Sequence, residues 1–337
     1  MSDLVRIVRF HQVGGPDVLR IDELPLPQPG PGEARLRVKA IGLNHGEIMF
    51  RNDRFYLTPN LPSQNGYEAS GVVEAVGAGV DANLLGKIRS TLPTFSLNDY
   101  GVYGEVAIVP ASALAPYPES MTFEEGTSIW MQYITAYGAL VHHAKVGRGD
   151  YVVLTAASGS VGPGAIQITK AEGAIAIATT RTLAKRDALL EAGADHVIVT
   201  AEEDVRARIM EITNGVGARV IFDCVGGAGI LELAKAIANN GLILVYGLLS
   251  GEPTPFPVYE SWQAAAALKS FKVMGYSIFE ITNHPETLKR AVKYVNEKLD
   301  SGHLRPRIDR TFPLAGIADA HRYMESGQQL GKIVVTV

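Results

Sequence analysis

The sequence has little cysteine: Cys224 is the single one among 337 residues. One thiol can neither form an intramolecular disulfide nor supply a multi-cysteine zinc site, so a disulfide-stapled secreted scaffold and a structural zinc lobe are both excluded. An excess of one charge is also missing, since 31 Lys and Arg stand against 35 Asp and Glu, for a net charge of −4. Because no stretch of clustered basic residues occurs, we expect no nucleic-acid partner.

Long hydrophobic runs are missing as well. The most apolar stretch, residues 241–249, has roughly half the ~20 residues that a membrane-spanning helix needs. The first residues lack the basic start and the apolar core of a signal peptide. We therefore expect no membrane partner and a soluble, cytoplasmic protein. Hydrophobic residues make up 47% of the chain, which is enough for large cores, and the length predicts two domains at about 150 residues each.

The pattern of apolar residues changes along the chain. Up to about residue 120, short apolar runs separated by Pro and Gly predict strands at 5–10, 34–41, 71–76 and 105–109. From residue 121, helical segments alternate with β-branched runs at 151–156, 174–179, 196–199, 219–223 and 242–246. This alternation predicts βαβ units and a parallel sheet. A strand at 271–276, helices at 285–301 and 317–326 and a final strand at 332–337 complete the prediction.

A glycine-rich turn lies between the first of these β-branched runs and a helical segment. The predicted strand 151–156 is followed by Ala157-Ser158-Gly159-Ser160-Val161-Gly162 and then by the helical pattern of residues 165–171. Glycines let the backbone approach a pyrophosphate, and a helix N-terminus offers free N–H groups and a positive dipole end. We predict that Gly159, Ser160, Val161 and Gly162 bind a dinucleotide. The alternative, a turn without a ligand, is disfavoured by the four strands that follow.

The end of the second strand of this region indicates which cofactor is bound. NAD sites usually carry an Asp or Glu about 20 residues beyond the glycine turn, to hold the ribose hydroxyls. No acid lies between residues 178 and 186, whereas Thr180, Arg181 and Lys185 could bind a 2′-phosphate. The alternative is a solvated helix start. We predict NADPH as the cofactor, with Val225, Tyr246 and Gly247 at later strand ends completing its site.

Several segments resemble a known family when they are taken in order. They are Gly15–Leu19, Pro29–Glu33, Gly42–Asn44, Gly66–Val73, Thr135–Tyr137 and Gly331–Val335, together with the glycine turn. In these segments, over essentially its whole length, the chain resembles the medium-chain dehydrogenase/reductase superfamily and, within it, the zinc-independent quinone oxidoreductase (zeta-crystallin-like) group.

The resemblance implies an α/β fold: a Rossmann doubly wound parallel sheet plus a GroES-like β-rich catalytic domain that is split in sequence, with the active site in the cleft between them. The expected segments are 1–120 and 277–337 for the catalytic domain and 121–276 for the NADPH-binding domain.

Zinc-dependent alcohol dehydrogenases of this superfamily use a Gly-x-Cys ligand and later a Gly-His-Glu ligand. This sequence has Asn44 and Tyr67 at those positions, and neither is a good zinc ligand, so we predict no metal. Without a Lewis acid to stabilise an alkoxide, alcohol oxidation is disfavoured. We therefore predict an NADPH-dependent reductase that transfers hydride to a quinone or an α,β-unsaturated carbonyl. The zinc alcohol dehydrogenase remains as the alternative that elemental analysis tests.

The resemblance also implies roles for single residues. Asn44 and Thr135 would lie near the nicotinamide and orient it or the substrate carbonyl; the alternatives are a turn cap for Asn44 and a helix start for Thr135. Related enoyl and quinone reductases often place a tyrosine just before the segment represented here by Leu61-Pro62, where this chain has Phe55 with Tyr56 beside it. Tyr56, Tyr67 or water would then supply the proton.

Phe55, at the position where those reductases have a tyrosine, weakens one alternative function, that of an acyl-thioester enoyl reductase. A non-catalytic NADPH-binding structural or regulatory protein remains another. Arg51 is open between attracting the substrate and forming a surface salt bridge. Cys224 is predicted to be a buried structural residue, because no His or basic residue lies near it in sequence. A homodimer is expected through the strand at 271–276, although its apolar face could equally be core.

Overall fold

The computed structural model describes residues 4–337, which divide into two compact units. One contains the chain up to Met131 together with Pro306–Val337, and the other contains Gln132–Arg305. We expected the divisions near residues 120 and 276. The first lies later because residues of the intervening segment bond to the first unit: the Trp130 indole donates to Ser90 over 2.7 Å. The second lies later because Tyr294, in the following helix, donates to Glu172 over 2.8 Å.

The strands are β1 (Leu4–Phe10), β2 (Leu19–Pro25), β3 (Glu33–Gly42), β4 (Glu68–Val76), β5 (Ile88–Thr91), β6 (Val106–Pro110), β7 (Leu114–Ala115), β8 (Tyr151–Leu154), β9 (Ile175–Thr180), β10 (His196–Val199), β11 (Ala218–Asp223), β12 (Ile237–Val245), β13 (Phe271–Gly275), β14 (Ile308–Pro313) and β15 (Lys332–Thr336). The helices are α1 (His45–Arg51), α2 (Phe123–Gly126), α3 (Trp130–Tyr137), α4 (Val161–Ala171), α5 (Arg186–Glu191), α6 (Val205–Ile212), α7 (Gly229–Lys235), α8 (Val258–Ala266), α9 (Phe279–Thr282), α10 (Pro285–Asp300) and α11 (Ile317–Glu325). A π-helical segment, Gly138–His143, continues α3.

The first unit is built on antiparallel pairing. Strands run in the order β14-β15-β3-β4-β5-β7, with β6 on β3 and a separate β1–β2 ribbon. Strand β15 pairs antiparallel with β3 and parallel with β14, so the C-terminal segment is an integral part of this sheet. Only two residues separate the end of β3 from the start of α1, which places residues 44–51 at one end of the sheet. The GroES-like β-rich unit predicted from the sequence is confirmed.

The second unit is a parallel sheet in the order β10-β9-β8-β11-β12-β13. Counted from β8, this is the order 3-2-1-4-5-6 of doubly wound nucleotide-binding sheets, in which ligands bind beyond the carboxyl ends of the strands where the order reverses. Apolar residues at the strand centres, such as Val153, Ile177 and Ile221, are fully buried and form its core. The Rossmann prediction is confirmed.

Four strands were not predicted from the sequence. Strands β2, β5, β7 and β14 are short or carry charged residues among their apolar ones, as in the sequence IDRTFP of β14, so no apolar run marks them. Strand β12 begins at Ile237, five residues before the predicted start, because Asn239 and Asn240 interrupt its apolar pattern. Within residues 4–337, no helix has the length and apolarity needed to cross a membrane.

Candidate functional site

The glycine turn joins β8 to α4 in the second unit. A Cβ atom on Gly162 would lie 1.9 Å from the carbonyl oxygen of Ala157, so only glycine lets α4 begin this close to the strand end. Gly159 differs, because a Cβ atom there would meet nothing nearer than the Ala156 oxygen at 3.6 Å. The backbone at Gly159 therefore borders open space. Helix α4 has no acidic residue in its first turn, and the N-terminus of α4 fits a pyrophosphate.

The predicted phosphate-binding residues lie at the end of β9. The Lys185 ammonium donates to the hydroxyl of Ser158 over 3.0 Å, which places a positive charge beside the glycine turn. Arg181 is exposed at the same strand end. Thr180, predicted to bind the 2′-phosphate with these two residues, is buried, with 3% of its surface exposed, and that role stays a prediction. Ser158 was missed by the sequence reasoning, although its place inside the turn was a signal for it.

The later strand ends are ordered by a buried carboxylate. Asp223 accepts hydrogen bonds from the Thr155 hydroxyl over 2.6 Å and from the backbone N–H groups of Val225 and Gly226 over 3.1 and 3.0 Å. Because β8, β11 and β12 are neighbours in the sheet, this carboxylate fixes the turn after β11 beside the glycine turn. Val225 lies just beyond the end of β11, and its contact with a cofactor stays a prediction.

Tyr246 and Gly247 follow β12 at the same edge. The Tyr246 ring stacks on Phe222, with ring centroids 3.9 Å apart and planes inclined by 17°. Cys224 lies under these residues and is buried. Burial raises the pKa of its thiol to about 11, so the group stays protonated near neutral pH. The prediction of a structural rather than reactive cysteine agrees with this environment.

Thr135 lies in α3 and belongs to the second unit. Its side chain is largely buried, with 6% of its surface exposed. It stands inside the helix rather than at its first residue, so the alternative role as a helix start is wrong. Its role toward a nicotinamide stays a prediction.

The first unit contains a buried polar cluster around Asn44, the residue before α1. The amide oxygen of Asn44 accepts from the Lys332 ammonium over 2.6 Å. Its amide nitrogen donates to the carboxylates of Glu47 and Glu68 over 3.1 and 3.2 Å. An ammonium can only donate and a carboxylate can only accept, so the orientation of the amide is fixed. Both ends of the amide are thus bonded within this unit, whereas the prediction had the side chain orienting cofactor or substrate.

Glu68 and Lys332 form the charged centre of this cluster. Their side chains are 1% and 0% exposed and are in contact as an ion pair. The second oxygen of Glu68 accepts from the backbone N–H of Met131 over 2.8 Å. A buried ion pair is sustained only when its remaining polar atoms are also bonded, and Asn44 and Met131 supply those bonds. Glu68 directly follows Tyr67, where the Gly-His-Glu zinc motif also has a glutamate. No signal in the sequence marked Lys332.

Tyr67 is buried and Tyr56 is exposed, with 1% and 65% of their surfaces accessible. The two phenol groups interact, and the pKa of Tyr67 is raised well above its ordinary value, first by burial and then by Tyr56. Tyr67 therefore stays a neutral phenol that can donate a proton. The backbone N–H of Tyr67 donates to Glu47 over 2.9 Å, which ties it to the Asn44 cluster.

Arg51 was left open between attracting substrate and forming a surface salt bridge, and it does form a salt bridge, with the partly exposed Glu325. Its side chain is fully buried. Its guanidinium contacts the carboxylate of Glu325, bonds His321 over 2.7 Å and donates to the Gly14 oxygen over 2.9 Å. The neighbours of residue 51 in α1 gave no hint of this, because His321 and Glu325 come from the far end of the chain.

Comparisons with known proteins cover both units. A family model for the alcohol dehydrogenase GroES-like domain matches residues 30–119, and one for a zinc-binding dehydrogenase matches residues 192–335. The synaptic vesicle membrane protein VAT-1 homolog of Rattus norvegicus is 29% identical, over 96% of this chain and 81% of the relative. The 2-haloacrylate reductase of a Burkholderia species is 28% identical, over 98% and 99%. A crystal structure of Escherichia coli quinone oxidoreductase complexed with NADPH superposes with a TM-score of 0.89 and 29% identity, over 98% of this chain and 100% of that one.

Proposed function

The chain belongs to the medium-chain dehydrogenase/reductase superfamily, in its quinone oxidoreductase group, and from this membership we propose that it is a metal-independent, NADPH-dependent reductase of quinones or α,β-unsaturated carbonyl compounds. The observation that carries the proposal is the Lys185 ammonium held beside the glycine turn, with no carboxylate at the end of β9 to oppose a 2′-phosphate. Two of the similar proteins support it by name, one as a reductase and one as a quinone oxidoreductase in complex with NADPH.

The residues of the second unit fit the cofactor. The N-terminus of α4 and the open side of Gly159 would hold the pyrophosphate, and Lys185 with Arg181 would hold the 2′-phosphate. Val225, Tyr246 and Gly247 would border the cofactor beyond β11 and β12, and Thr135 would orient the nicotinamide. Bound NADPH would supply the hydride.

The residues of the first unit do not fit zinc, although one matching family model is described as zinc-binding. The oxygen of Asn44 already accepts from the Lys332 ammonium, and Tyr67 is a phenol whose raised pKa keeps it neutral. Structural and catalytic zinc take thiolate, imidazole and carboxylate ligands. Among residues 4–337, no group of three or more His, Cys, Asp or Glu side chains could hold a metal ion. This donor set supports a reaction in which protein groups, rather than a metal, respond to the charge that develops on the carbonyl oxygen.

The proton needed for reduction of a double bond is assigned to a tyrosine. Hydride arriving at the β-carbon of an enone leaves negative charge on the carbonyl oxygen and α-carbon, and one proton from an acid completes the saturated product. Burial raises the pKa of Tyr67, so this phenol is a weaker acid than a free tyrosine and would give its proton only to the strongly basic enolate that hydride transfer leaves. Tyr56, whose phenol interacts with it, is exposed and can restore that proton from solvent.

The activity is tested by NADPH oxidation under anaerobic conditions. The acceptor panel contains quinones, enones, a 2-haloacrylate and an enoyl thioester. Deuterium at C4 of NADPH should appear on carbon in the product of an enone, the 2-haloacrylate or the thioester. For a quinone, whose new O–H groups exchange with water, the readout is one NADPH oxidised per quinone reduced to hydroquinone. Tight NADPH binding without turnover on any acceptor would defeat the proposal and favour the non-catalytic alternative. Turnover restricted to the thioester would identify an acyl-thioester enoyl reductase instead.

We also propose a homodimer through the second unit. Strand β13 lies at the edge of the parallel sheet. Nearby in sequence, Phe256, Tyr259 and Trp262 have 65%, 62% and 66% of their surfaces exposed. Exposed aromatic groups and an edge strand are each typical of an association surface. Analytical ultracentrifugation of the wild-type protein should give a mass twice that of one chain, and the Trp262→Glu variant should have the mass of a monomer. A monomeric wild-type protein would contradict this proposal.

A further inference from the structure

Glu47 is a buried carboxylate that joins Asn44 and Tyr67, the two positions at which the family resemblance implies metal ligands in zinc-dependent relatives. One oxygen of Glu47 accepts from the Asn44 side-chain amide over 3.1 Å and from the Tyr67 backbone N–H over 2.9 Å. The other accepts from the Asn44 backbone N–H over 2.7 Å and from the Tyr103 hydroxyl over 2.6 Å. Glu47 is fully buried. Burial raises the pKa of Glu47, and the hydrogen bonds from Tyr103, the Tyr67 N–H and Asn44 oppose that rise. All four contacts are to groups that can donate, which is the arrangement a carboxylate needs, since it accepts hydrogen bonds and donates none.

The hydrogen bonds behind Tyr103 have a fixed direction. Arg51 bonds Nδ1 of His321 over 2.7 Å, and a guanidinium has donors only, so Nδ1 accepts. The proton of the neutral imidazole therefore resides on Nε2, which lies 3.1 Å from the Tyr103 oxygen and donates to it. The Tyr103 hydroxyl is then left with its own proton to give, and this proton points to Glu47. Arg51 thus determines, through two intermediate side chains, that Tyr103 donates to Glu47.

The buried charged groups do not improve the stability of the fold, but they fix the positions of the atoms they bond. Burying Glu47, Glu68, Arg51 and Lys332 removes four charged groups from water, and apolar side chains of similar volume would serve a core at least as well. What the charged groups supply is a defined place for the atoms they bond. The atoms that Glu47 bonds belong to Asn44 and Tyr67, and Tyr67 is the proposed acid.

We propose that Glu47 is a positioning residue of the reaction, a proposal that rests on the reductase activity proposed above. Glu47 holds Tyr67 and Asn44 in the arrangement that proton and hydride transfer require. The directed series, Arg51–His321–Tyr103, keeps the hydrogen bond from Tyr103 to Glu47 in one direction. Neither Glu47 nor the series behind it donates a proton to substrate. Their contribution is made through the main chain of Tyr67 and the amide of Asn44.

Glu47→Gln separates this role from that of a carboxylate that only fills space. The glutamine NH₂ group must face either the Asn44 amide and the Tyr67 N–H, or the Asn44 N–H and the Tyr103 hydroxyl, and each choice sets donor against donor. Tyr103 cannot relieve the conflict by turning its proton away, because His321 already presents a proton there and Arg51 blocks the other tautomer. Glu47→Asp keeps the acceptors and shortens the reach.

The test measures kcat, KM for the acceptor and Kd for NADPH on the full-length protein. We expect E47Q to lower kcat by about 10- to 100-fold, the effect of a small misplacement of a reacting group, with Kd for NADPH unchanged and E47D closer to wild type. The matched control is Glu74→Gln, which removes a carboxylate that accepts from Arg35 and Arg37 in the same unit and should leave kcat per folded molecule unchanged. Nitrogen-15 NMR of labelled histidine should show His321 as the neutral Nε2–H tautomer.

The outcomes separate this proposal from the one on which it rests. A wild-type protein that oxidises NADPH, together with a folded E47Q whose kcat lies within twofold of it, would overturn the positioning role alone. An Nδ1–H tautomer of His321 would overturn the directed series. A wild-type protein inert toward every acceptor would overturn the proposed function, and the positioning role with it. If E47Q does not fold, Tyr103→Phe removes a single donor to Glu47 and should lower kcat by about 3- to 10-fold; a folded Y103F with unchanged kcat would overturn the role.

Discussion

The ammonium of Lys332 lies 2.6 Å from the amide oxygen of Asn44, and this bond joins the last strand of the chain to the start of its first helix across 288 residues of sequence. Lys332 also pairs with Glu68, so one cation serves two polar groups that belong to different strands and turns. The C-terminal segment is therefore held into the first unit both by the sheet pairing of β15 and by a charge in the interior.

Removing the Lys332 ammonium should leave the Glu68 carboxylate buried without its cation. We expect Lys332→Met to lower the free energy of unfolding by about 3–5 kcal/mol, because an unpaired buried charge is left behind. Adding Glu68→Gln should recover part of the loss, as measured by urea unfolding in a double-mutant cycle. The control is Lys235→Met, whose exposed i,i+3 pair with Glu232 should contribute no more than about 1 kcal/mol. Equal losses in K332M and K332M/E68Q would contradict this account.

Substituting alanine for the two glycines of the dinucleotide turn should affect different properties: cofactor binding at Gly159 and stability at Gly162. Gly159→Ala adds a Cβ atom with nothing nearer than 3.6 Å, so the fold should keep its stability while NADPH binding weakens at least about tenfold through loss of close backbone approach. Gly162→Ala forces a Cβ atom against the Ala157 carbonyl and should cost about 1–3 kcal/mol of stability. Thermal unfolding and NADPH titration separate the two effects. Gly147→Ala, with no atom within 4 Å of the added carbon, is the control.

Lys185 should distinguish the two nicotinamide cofactors. Lys185→Ala removes the ammonium beside Ser158 and should raise the Kd for NADPH by about 10- to 100-fold, the value of one or two charge-assisted hydrogen bonds. The Kd for NADH, which has no 2′-phosphate, should stay unchanged. Lys170→Ala is the control, since Lys170 pairs with Asp195 outside the turn. An equal loss for both cofactors would show that Lys185 does not contact the 2′-phosphate.

The cofactor half of the site could be predicted because its signals are local. Strand, turn and helix follow one another within about 20 residues, and the lack of an acid after β9 is read directly from the sequence. Glu47 had a local signal too: it stands three residues after Asn44, the spacing of a capping box, which the structure contains. That signal identifies a helix start and says nothing about a bond to Tyr67.

The remainder of the polar cluster could not be predicted from one sequence. Arg51 and His321 are separated by 270 positions, and Lys332 and Glu68 by 264. A charged residue is ordinarily exposed, so Arg51 and Lys332 were expected at the surface or passed over. Their burial follows from the pairing of β15 with β3 and from the packing of α11 on that sheet, which no local pattern specifies.

The two candidate acids can be told apart by removing one hydroxyl at a time. Because Tyr67 is buried, water cannot readily replace its hydroxyl, and we expect Tyr67→Phe to lower kcat for enones by about 100-fold or more, the usual value of a positioned general acid. Tyr56→Phe should have a smaller effect, since water can reach the position of this exposed group. Comparing kcat for enones in the two variants decides between them. A larger loss in Y56F would reverse the assignment and make Tyr56 the acid.

The buried histidine of the directed series should make stability depend on pH. Burial, followed by the charge of Arg51, lowers the pKa of His321 from 6.5 to about 3. Between these pH values the unfolded chain binds a proton at His321 that the folded chain does not. The contribution of neutral His321 to the free energy of unfolding is therefore fully present above about pH 6.5 and is lost as the pH falls toward 3.

We expect this single group to steepen the fall of unfolding free energy by up to about 1.4 kcal/mol per pH unit below pH 6. His321→Gln should cost stability at neutral pH, where its bonds to Arg51 and Tyr103 are weakened, and should flatten the dependence between pH 6 and pH 4. Urea unfolding at a series of pH values measures both slopes, with His303→Gln at an exposed position as the control. Parallel curves for wild type and H321Q would mean that His321 takes up its proton in the folded chain as readily as in the unfolded one.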